Sequence, residues 1–527
     1  MLARLRRSAL LAVLACGPAA AQAPQGAPPA QERATFDILE FQVDGNQLLP
    51  SITIERAVYR FLGPGGDIGK VEKAREQLER AYHDAGYLTV VIDIPVQRVE
   101  DGVARLRVTE GRIERVRVTG QRFYSQGVIR ESAPELAEGN VPYFPEVQDQ
   151  LAQLNRAADR RVTPVLKPGT APGTVQVDLN VEDRAPLHGS LELNNRNSAD
   201  TTSLRLNGML RYDNLWQRAH SLTFNFQTSP EDTSEVKVLS GSYLMPLWKD
   251  NMLALYAVDA RSNVAAIGTL GVIGRGNIYG ARAIAPLPSG DNFYHSVSFG
   301  LDYKNFKESV GLVGSDTLNT PISYAPFSVL YSGTAQDSTG ITQLNLGLNF
   351  AVRGILGNDE AEFANKRFKA HANYLYLRGD VTRTQTLPAG FSLAARLDAQ
   401  IASQPLISNE QFAAGGYDSV RGYLEAEVFG DNALRGSLEL RAPNFPVASD
   451  AIRQFNLVAF YEGAKLRVLD PLPGQIQRFT ISSAGIGLRL RAWSTLVLSL
   501  DVAHPFKTTT HTLAGDTVGR FRLAYEF

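Results

Sequence analysis

The chain closes with Gly519-Arg520-Phe521-Arg522-Leu523-Ala524-Tyr525-Glu526-Phe527, and the alternation in this stretch decides the fold. Phe521, Leu523, Tyr525 and Phe527 fall on one parity, and Arg520, Arg522, Ala524 and Glu526 on the other. Successive side chains of a strand point to opposite faces, so one face here is aromatic and aliphatic while its back is charged. Such a strand suits a wall with hydrocarbon outside and water inside. The same parity recurs upstream in Leu204-Leu206, Leu222-Phe224-Phe226, Leu344-Leu346-Leu348-Phe350, Leu393-Ala395-Leu397 and Leu496-Leu498-Leu500. The expectation is a mainly β protein whose residues 185–527 form a transmembrane antiparallel β-barrel, with Phe521, Leu523, Tyr525 and Phe527 as its C-terminal barrel signal. At roughly 21 residues per strand with its connection, that span holds about 16 strands.

Composition agrees with this reading. The 527 residues carry 53 basic and 54 acidic side chains, a formal charge of −1, so no bulk field favours nucleic acid as a partner. Beyond the N-terminal segment no run of about 18 apolar residues offers a spanning helix, which leaves a closed barrel as the way across a bilayer. A soluble β-sandwich would also alternate. The N-terminus tips the balance: Arg4, Arg6 and Arg7, the apolar run Ala9 to Ala15 and the small residues Ala19-Ala20-Ala21 read as a signal peptide over 1–21, with cleavage after Ala21. The only cysteine is Cys16, inside that segment, so no intramolecular disulfide is available. Val13-Leu14-Ala15-Cys16 fits a lipoprotein box poorly because of Leu14. Residues 22–36 form a Pro-rich linker with Pro24, Pro28 and Pro29, too short and too broken for the helix of about 20 residues that would plug a barrel.

Between linker and barrel, the order strand, helix, helix, strand, strand occurs twice, over 37–110 and 111–184. In the first copy Val71, Ala74, Leu78, Ala81, Tyr82 and Ala85 make one apolar helical stripe, and Gly86 ends it. Gly63-Pro64-Gly65-Gly66-Asp67-Ile68-Gly69-Lys70 lacks the spacing and hydroxyl residue of a phosphate loop and reads as a turn. In the second copy, Pro168-Gly169 and Pro172-Gly173 set tight turns between the closing strands. The repeated plan resembles POTRA domains, the periplasmic modules of barrel-assembly and secretion proteins; a generic α+β domain would show the same pattern.

Asn155 to Gly173 resembles the second POTRA hairpin of two-partner-secretion transporters of the FhaC and ShlB type. Tyr212-Asp213-Asn214-Leu215, Tyr243 to Leu247, Gly300 to Lys304 and Gly485 to Arg489 are similar to the same family and occur in its order. The sharpest match is Val420-Arg421-Gly422-Tyr423, which resembles the motif of a loop folded back into the lumen throughout the BamA-like superfamily. The resemblance implies an acidic partner for Arg421 in a Phe-x-Asp-x-Gly motif on the barrel wall. Here Ala459 to Ala464 reads AFYEGA, so Phe460 and Glu462 take those places with a longer acid, and Ala464 replaces a glycine. Glu462 shares the inward phase of Asn456, opposite Phe455, Leu457 and Tyr461. A bidentate Arg421–Glu462 pair is expected to hold the loop, with a charge swap restoring part of the function lost in either single mutant.

The resemblance further implies an outer-membrane pore that receives one large unfolded exoprotein (TpsA-like) in the periplasm and passes it outward, in contact with outer-membrane lipid and assembled by the barrel-assembly machinery. An extended passenger would add to the edge strand Leu88, Val90, Ile92, Ile94 of the first module, and a wide bore lined by Arg396, Asp398, Arg520 and Arg522 would let it slide. The alternative is an assembly or insertion factor of the same superfamily, whose members usually carry three or more modules. No nucleophile elbow, H-E-x-x-H or ligand-spaced histidines occur, so neither catalysis, cofactor nor metal is expected.

Overall fold

The computed structural model describes residues 35–199, 201–262, 264–267, 270–307, 309–311, 317–447 and 449–527, in two compact units. One holds the first α+β module and most of the second; the other holds the barrel together with 120–131 and 157–161. The expected signal peptide and nearly all of the linker, and with them the question of a plug helix, lie outside the described residues.

The first module is organised by the helix Ile68–Asp84. Asp67 caps it by accepting from the Lys70 N–H (3.0 Å), and the chain leaves it at Gly86 with φ +97°. Its stripe Val71, Ala74, Leu78, Tyr82 is fully buried against Ile38, Ile92 and Leu106. The other helix is Ser51–Val58, extended by the single turn Tyr59–Phe61. In the three-stranded sheet, Val103–Glu110 is central, parallel to Glu40–Asp44 and antiparallel to Val90–Asp93. Gly63–Gly66 is not the expected turn: it is a strand paired with Phe36–Ile38, and a Cβ on Gly66 would lie 2.8 Å from the Ile38 side chain. The second module repeats the order with Arg112–Thr119, the helices Gln126–Glu131 and Phe144–Leu154, and the strands Arg160–Pro168 and Thr174–Asp183. Its hairpin is pinned by Glu114, whose carboxylate accepts from the Thr170 hydroxyl, from the Thr170 N–H (2.6 Å) and from the Thr174 hydroxyl (3.0 Å); these bonds, the Thr170 hydroxyl first, hold its pKa down to about 2.

The barrel is closed and antiparallel, with 16 strands among the described residues. Its last strand, Val518–Glu526, pairs with its first, Leu187–Asn194, and beyond that register Phe527 and Gly189 exchange main-chain bonds of 2.9 and 3.0 Å. Ile322–Tyr324 and Phe327–Asp337 both pair with Phe293–Phe306 and make one wall position, interrupted at Pro326, which has no N–H for the ladder. Leu523, Tyr525 and Phe527 face outward and exposed, and Phe521 is half-buried on the same side, while Arg520 and Ala524 are buried. Among the described residues no helix is long and apolar enough to cross a membrane; the barrel strands make the wall.

Connections alternate between the two ends. The end where the chain enters at Leu187 has short turns such as 338–339 and 493–495; the other carries long connections such as 352–373 and 403–431. Near that outer end the bore departs from the expected wet channel. Val238, Val258, Ala260, Ile278, Phe306, Tyr324 and Tyr376 point inward and form one buried apolar cluster with Phe363, Leu406 and Ile407 from the connections. Arg520 lines no open bore either, since its guanidinium is buried against a loop.

Candidate functional site: a loop docked inside the barrel

The connection 403–431 joins the strands Ser392–Ala402 and Asn432–Arg441 and folds inward instead of projecting from the barrel. A short hairpin, Phe412–Ala414 with Val428–Gly430, gives it internal order, and Gly415 and Gly416 turn the chain at φ +110° and +103°. At the tip, Val420 and Tyr423 are fully buried with Phe412, Val428, Ala464, Leu466 and Ile481. Between them Arg421 is 4% exposed.

Arg421 meets the expected acid in an unexpected way. Its Nε and Nη2 both donate to Glu462 Oε1 (2.9 and 2.7 Å), while Glu462 Oε2 accepts from the main-chain N–H of Arg421 (2.8 Å). One carboxylate therefore grips both the cation and the backbone that carries it, in place of the two-oxygen fork. Nη1 turns away to Glu439 (2.8 Å) and Asp501 (3.3 Å), two acids that lie outside the motif. Both sit at inward phase, Glu439 on Asn432–Arg441, which pairs with the Glu462 strand Ile452–Arg467, and Asp501 on Leu496–Pro505, one strand removed on the other side; an isolated acid among alternating apolar residues was the available signal. Phe460 completes the dock, its ring centroid 3.5 Å from the guanidinium carbon. Arg441 bonds Glu439 (2.9 Å) and Arg489 bonds Asp501 (2.8 Å), so three arginines face three carboxylates.

The flanking residues explain the rest of the motif. Gly422 lies against the wall, where a Cβ would come within 2.9 Å of Ser483 Cβ and 3.2 Å of Pro505 N. The Tyr423 hydroxyl lies 2.9 Å from the Lys507 carbonyl and accepts from the Lys507 N–H (3.1 Å), and Arg520 donates to the Tyr423 carbonyl (2.5 Å). Arg196, from the first outer connection, bridges Asp418 (2.6 Å) and Glu425 (3.0 Å). On the wall, Arg435 bonds Asp398 (3.0 Å) and the Ser419 carbonyl (3.2 Å).

The expected edge strand in the first module is shorter than expected. It runs Val90–Asp93, leaving Leu88 and Ile94 outside it. Val90 and Ile92 are buried in the module core, so their side chains are not offered to a ligand; Val91 is exposed. What the edge presents is backbone, with His83 Nε2 3.1 Å from the Val90 carbonyl and Arg75 donating to the Ile92 carbonyl at 3.5 Å. Among the described residues, Asp159, His188 and Asp213 bring three metal-type ligand atoms within 4.8 Å, but Arg184 (2.8 Å) and Arg211 (3.1 Å) already occupy the carboxylates, making this a salt-bridge cluster.

Residues 173–464 match the family described as haemolysin secretion/activation protein ShlB/FhaC/HecB, and residues 36–111 match the ShlB-type POTRA domain. The outer membrane transporter CdiB of Dickeya dadantii (strain 3937) is 22% identical over 448 residues, 81% of this chain and 76% of that protein. An Escherichia coli CdiB is 25% identical over 183 residues, 35% of this chain and 31% of that protein. Among solved structures, CdiB from Escherichia coli superposes with a TM-score of 0.62 at 19% identity, covering 96% of this chain and 93% of that one. BamA from Haemophilus ducreyi lacking POTRA domains 1–3 gives 0.57 at 14%, covering 94% and 100%. At those identities the structures speak to fold alone, whereas the family match covers more than half of the chain. That family is a transporter family, not an enzyme family. The chain belongs to the haemolysin secretion/activation family ShlB/FhaC/HecB, as an outer-membrane two-partner-secretion transporter that translocates a secreted exoprotein and has periplasmic POTRA modules.

Proposed function

We propose that this transporter takes its exoprotein in extended, unfolded form at the Val90–Asp93 edge and passes it outward when the 403–431 loop leaves its dock. The division into modules 37–110 and 111–184 and a barrel from 185, an N-terminal export signal, contact with outer-membrane lipid and assembly by the barrel-assembly machinery belong to this reading. The observation that carries it is the environment of Arg421, a buried loop cation among three wall carboxylates. Val420 and Tyr423 add apolar packing to the tip, but the charged contacts of Arg421 are the part of the dock most sensitive to the arrival of water. Ion pairs in a desolvated site lose most of their strength on hydration, so this dock holds firmly when closed and weakly once opened. An added strand needs only backbone donors and acceptors, which suits a long passenger of varied sequence.

The superfamily's assembly factors share the barrel and the loop, but the family match favours secretion. The test is co-expression with a long exported β-helical protein encoded beside this one, followed by assay of the medium. Release of that protein only when this chain is present supports the reading. Normal release without it, together with loss of other barrels from the outer membrane, would replace it with the assembly role.

A further inference from the structure

We propose that the outer connection 352–373 is a second closing element of the pore, and that Arg367 and Asp431 are the positioning residues that latch it to the lumen loop. This deepens the gating part of the proposed function. Asp359 caps the helix Glu360–Lys366 by accepting from the Ala361 N–H (2.7 Å), and the helix drives Phe363 inward, where it is 1% exposed. Its ring meets those of Tyr324 (5.5 Å) and Tyr374 (5.9 Å), within the apolar cluster that also holds Leu406 and Ile407 of the lumen loop. The two connections therefore share one buried core inside the outer end of the barrel.

Arg367 follows that helix directly. Its Nη1 and Nη2 take the two oxygens of Asp431 at 2.6 and 2.7 Å, in the two-oxygen fork that Arg421 lacks. Asp431 is fully buried, and it also accepts from the main-chain N–H groups of Leu406 (2.9 Å) and Leu469 (2.7 Å) and from Gln411 (3.2 Å). Arg367 in turn donates to the carbonyls of Leu406 and Leu469, the latter at 3.1 Å. One ion pair thus ties together both limbs of the lumen loop, the 352–373 connection and the 468–477 connection. Lys369 and Asp470 form an exposed bridge beside it (2.9 Å). Arg421 holds the loop by its tip; Arg367 and Asp431 hold its root. Releasing the tip alone leaves Phe363, Leu406 and Ile407 in the way, so passage of a polypeptide requires the root latch to part as well.

The chain has one cysteine, Cys16, and with Cys16→Ser as background an introduced pair in the barrel reacts alone. Lys369→Cys with Asp470→Cys, joined by a cleavable bis-maleimide, ties 352–373 to 468–477 through two exposed positions. In the full-length protein reconstituted in planar bilayers, potassium chloride current should show at least tenfold fewer openings after bridging, with recovery on cleavage. Openings unchanged by the bridge would overturn the proposal. In the second arm Arg367→Gln should raise opening frequency at least tenfold and Arg367→Lys should lie between it and the parent; a parent-like Arg367→Gln would be equally fatal. Heat-modifiable mobility in electrophoresis reports whether each variant assembles. If Arg367→Gln does not, the bridging arm, in which Arg367 and Asp431 are intact, decides. The current is measured without passenger, so failure here is distinguishable from failure of the secretion reading.

Discussion

At the residue scale, the site is governed by how much charge one arginine can satisfy. Arg421 neutralises Glu462 and shares Glu439 and Asp501 with Arg441 and Arg489. Removing either member of a buried pair costs about 3–5 kcal/mol, because the remaining charge is stranded. Arg421→Ala and Glu462→Ala should therefore each undock the loop: protease should cut near residue 421 in folded barrels, and secretion into the medium should fall at least tenfold. The structure changes the expectation for the charge swap. Arg421→Glu would face Glu439 and Asp501 as well as the new arginine at 462, so the double mutant should stay defective; recovery to more than half of parental secretion would show that Glu462 alone matters. Gly422→Ala probes shape without charge. Its Cβ would collide with Ser483, and overpacking of this kind costs about 1–3 kcal/mol, so protease access should rise while the barrel still assembles.

Elements decide recognition and local stability. The Val90–Asp93 edge pairs with one strand, and its inward residues are committed to the core. The Val90 and Ile92 carbonyls face the free edge, so Val91 turns its own main-chain groups toward Val103–Glu110 and the outward donor is the Ile92 N–H, which Ile92→Pro removes while keeping an apolar side chain at that buried position. If that donor serves an added strand, passenger affinity should drop by about 0.5–1.5 kcal/mol per lost bond, a several-fold change measurable by binding to immobilised protein. Unaltered affinity would move recognition elsewhere. In the second module Glu114 fastens the hairpin, and its folded pKa lies below the ordinary carboxylate value. A group depressed in this way contributes stability above its unfolded pKa of about 4.3 and loses it as the pH falls through its folded value of about 2. Glu114→Gln should therefore be less stable than the parent to denaturant at neutral pH, with the two curves converging near pH 2. A difference that persists at that pH would assign the effect to something other than the charge.

At the scale of the whole molecule, closure rests on the meeting of the last strand with the first. Phe527 and Gly189 exchange two main-chain bonds at the end of that seam. Deleting Phe527 removes both and the aromatic ring over Gly189, so the heat-modifiable barrel fraction should fall sharply; an undiminished fraction would show that the register from Arg522 to Glu526 is enough. The barrel, the two-module plan and Arg421 with Glu462 were legible in the sequence, because strand parity, helical stripes and a short motif are local features. Glu439, Asp501, Arg367 and Asp431 were not, since each is an ordinary charged residue until the cylinder closes. Gly63–Gly66 looked like a turn because its partner strand lies far back in the chain, and the bore looked wet because alternation says which face points inward but not what fills it. The sequence by itself determined two-faced strands and hence a membrane wall. Only tertiary structure decided that two connections fold back into the bore and that buried charges tie them there, because ion pairs and loop docking depend on distances between segments that no local pattern records.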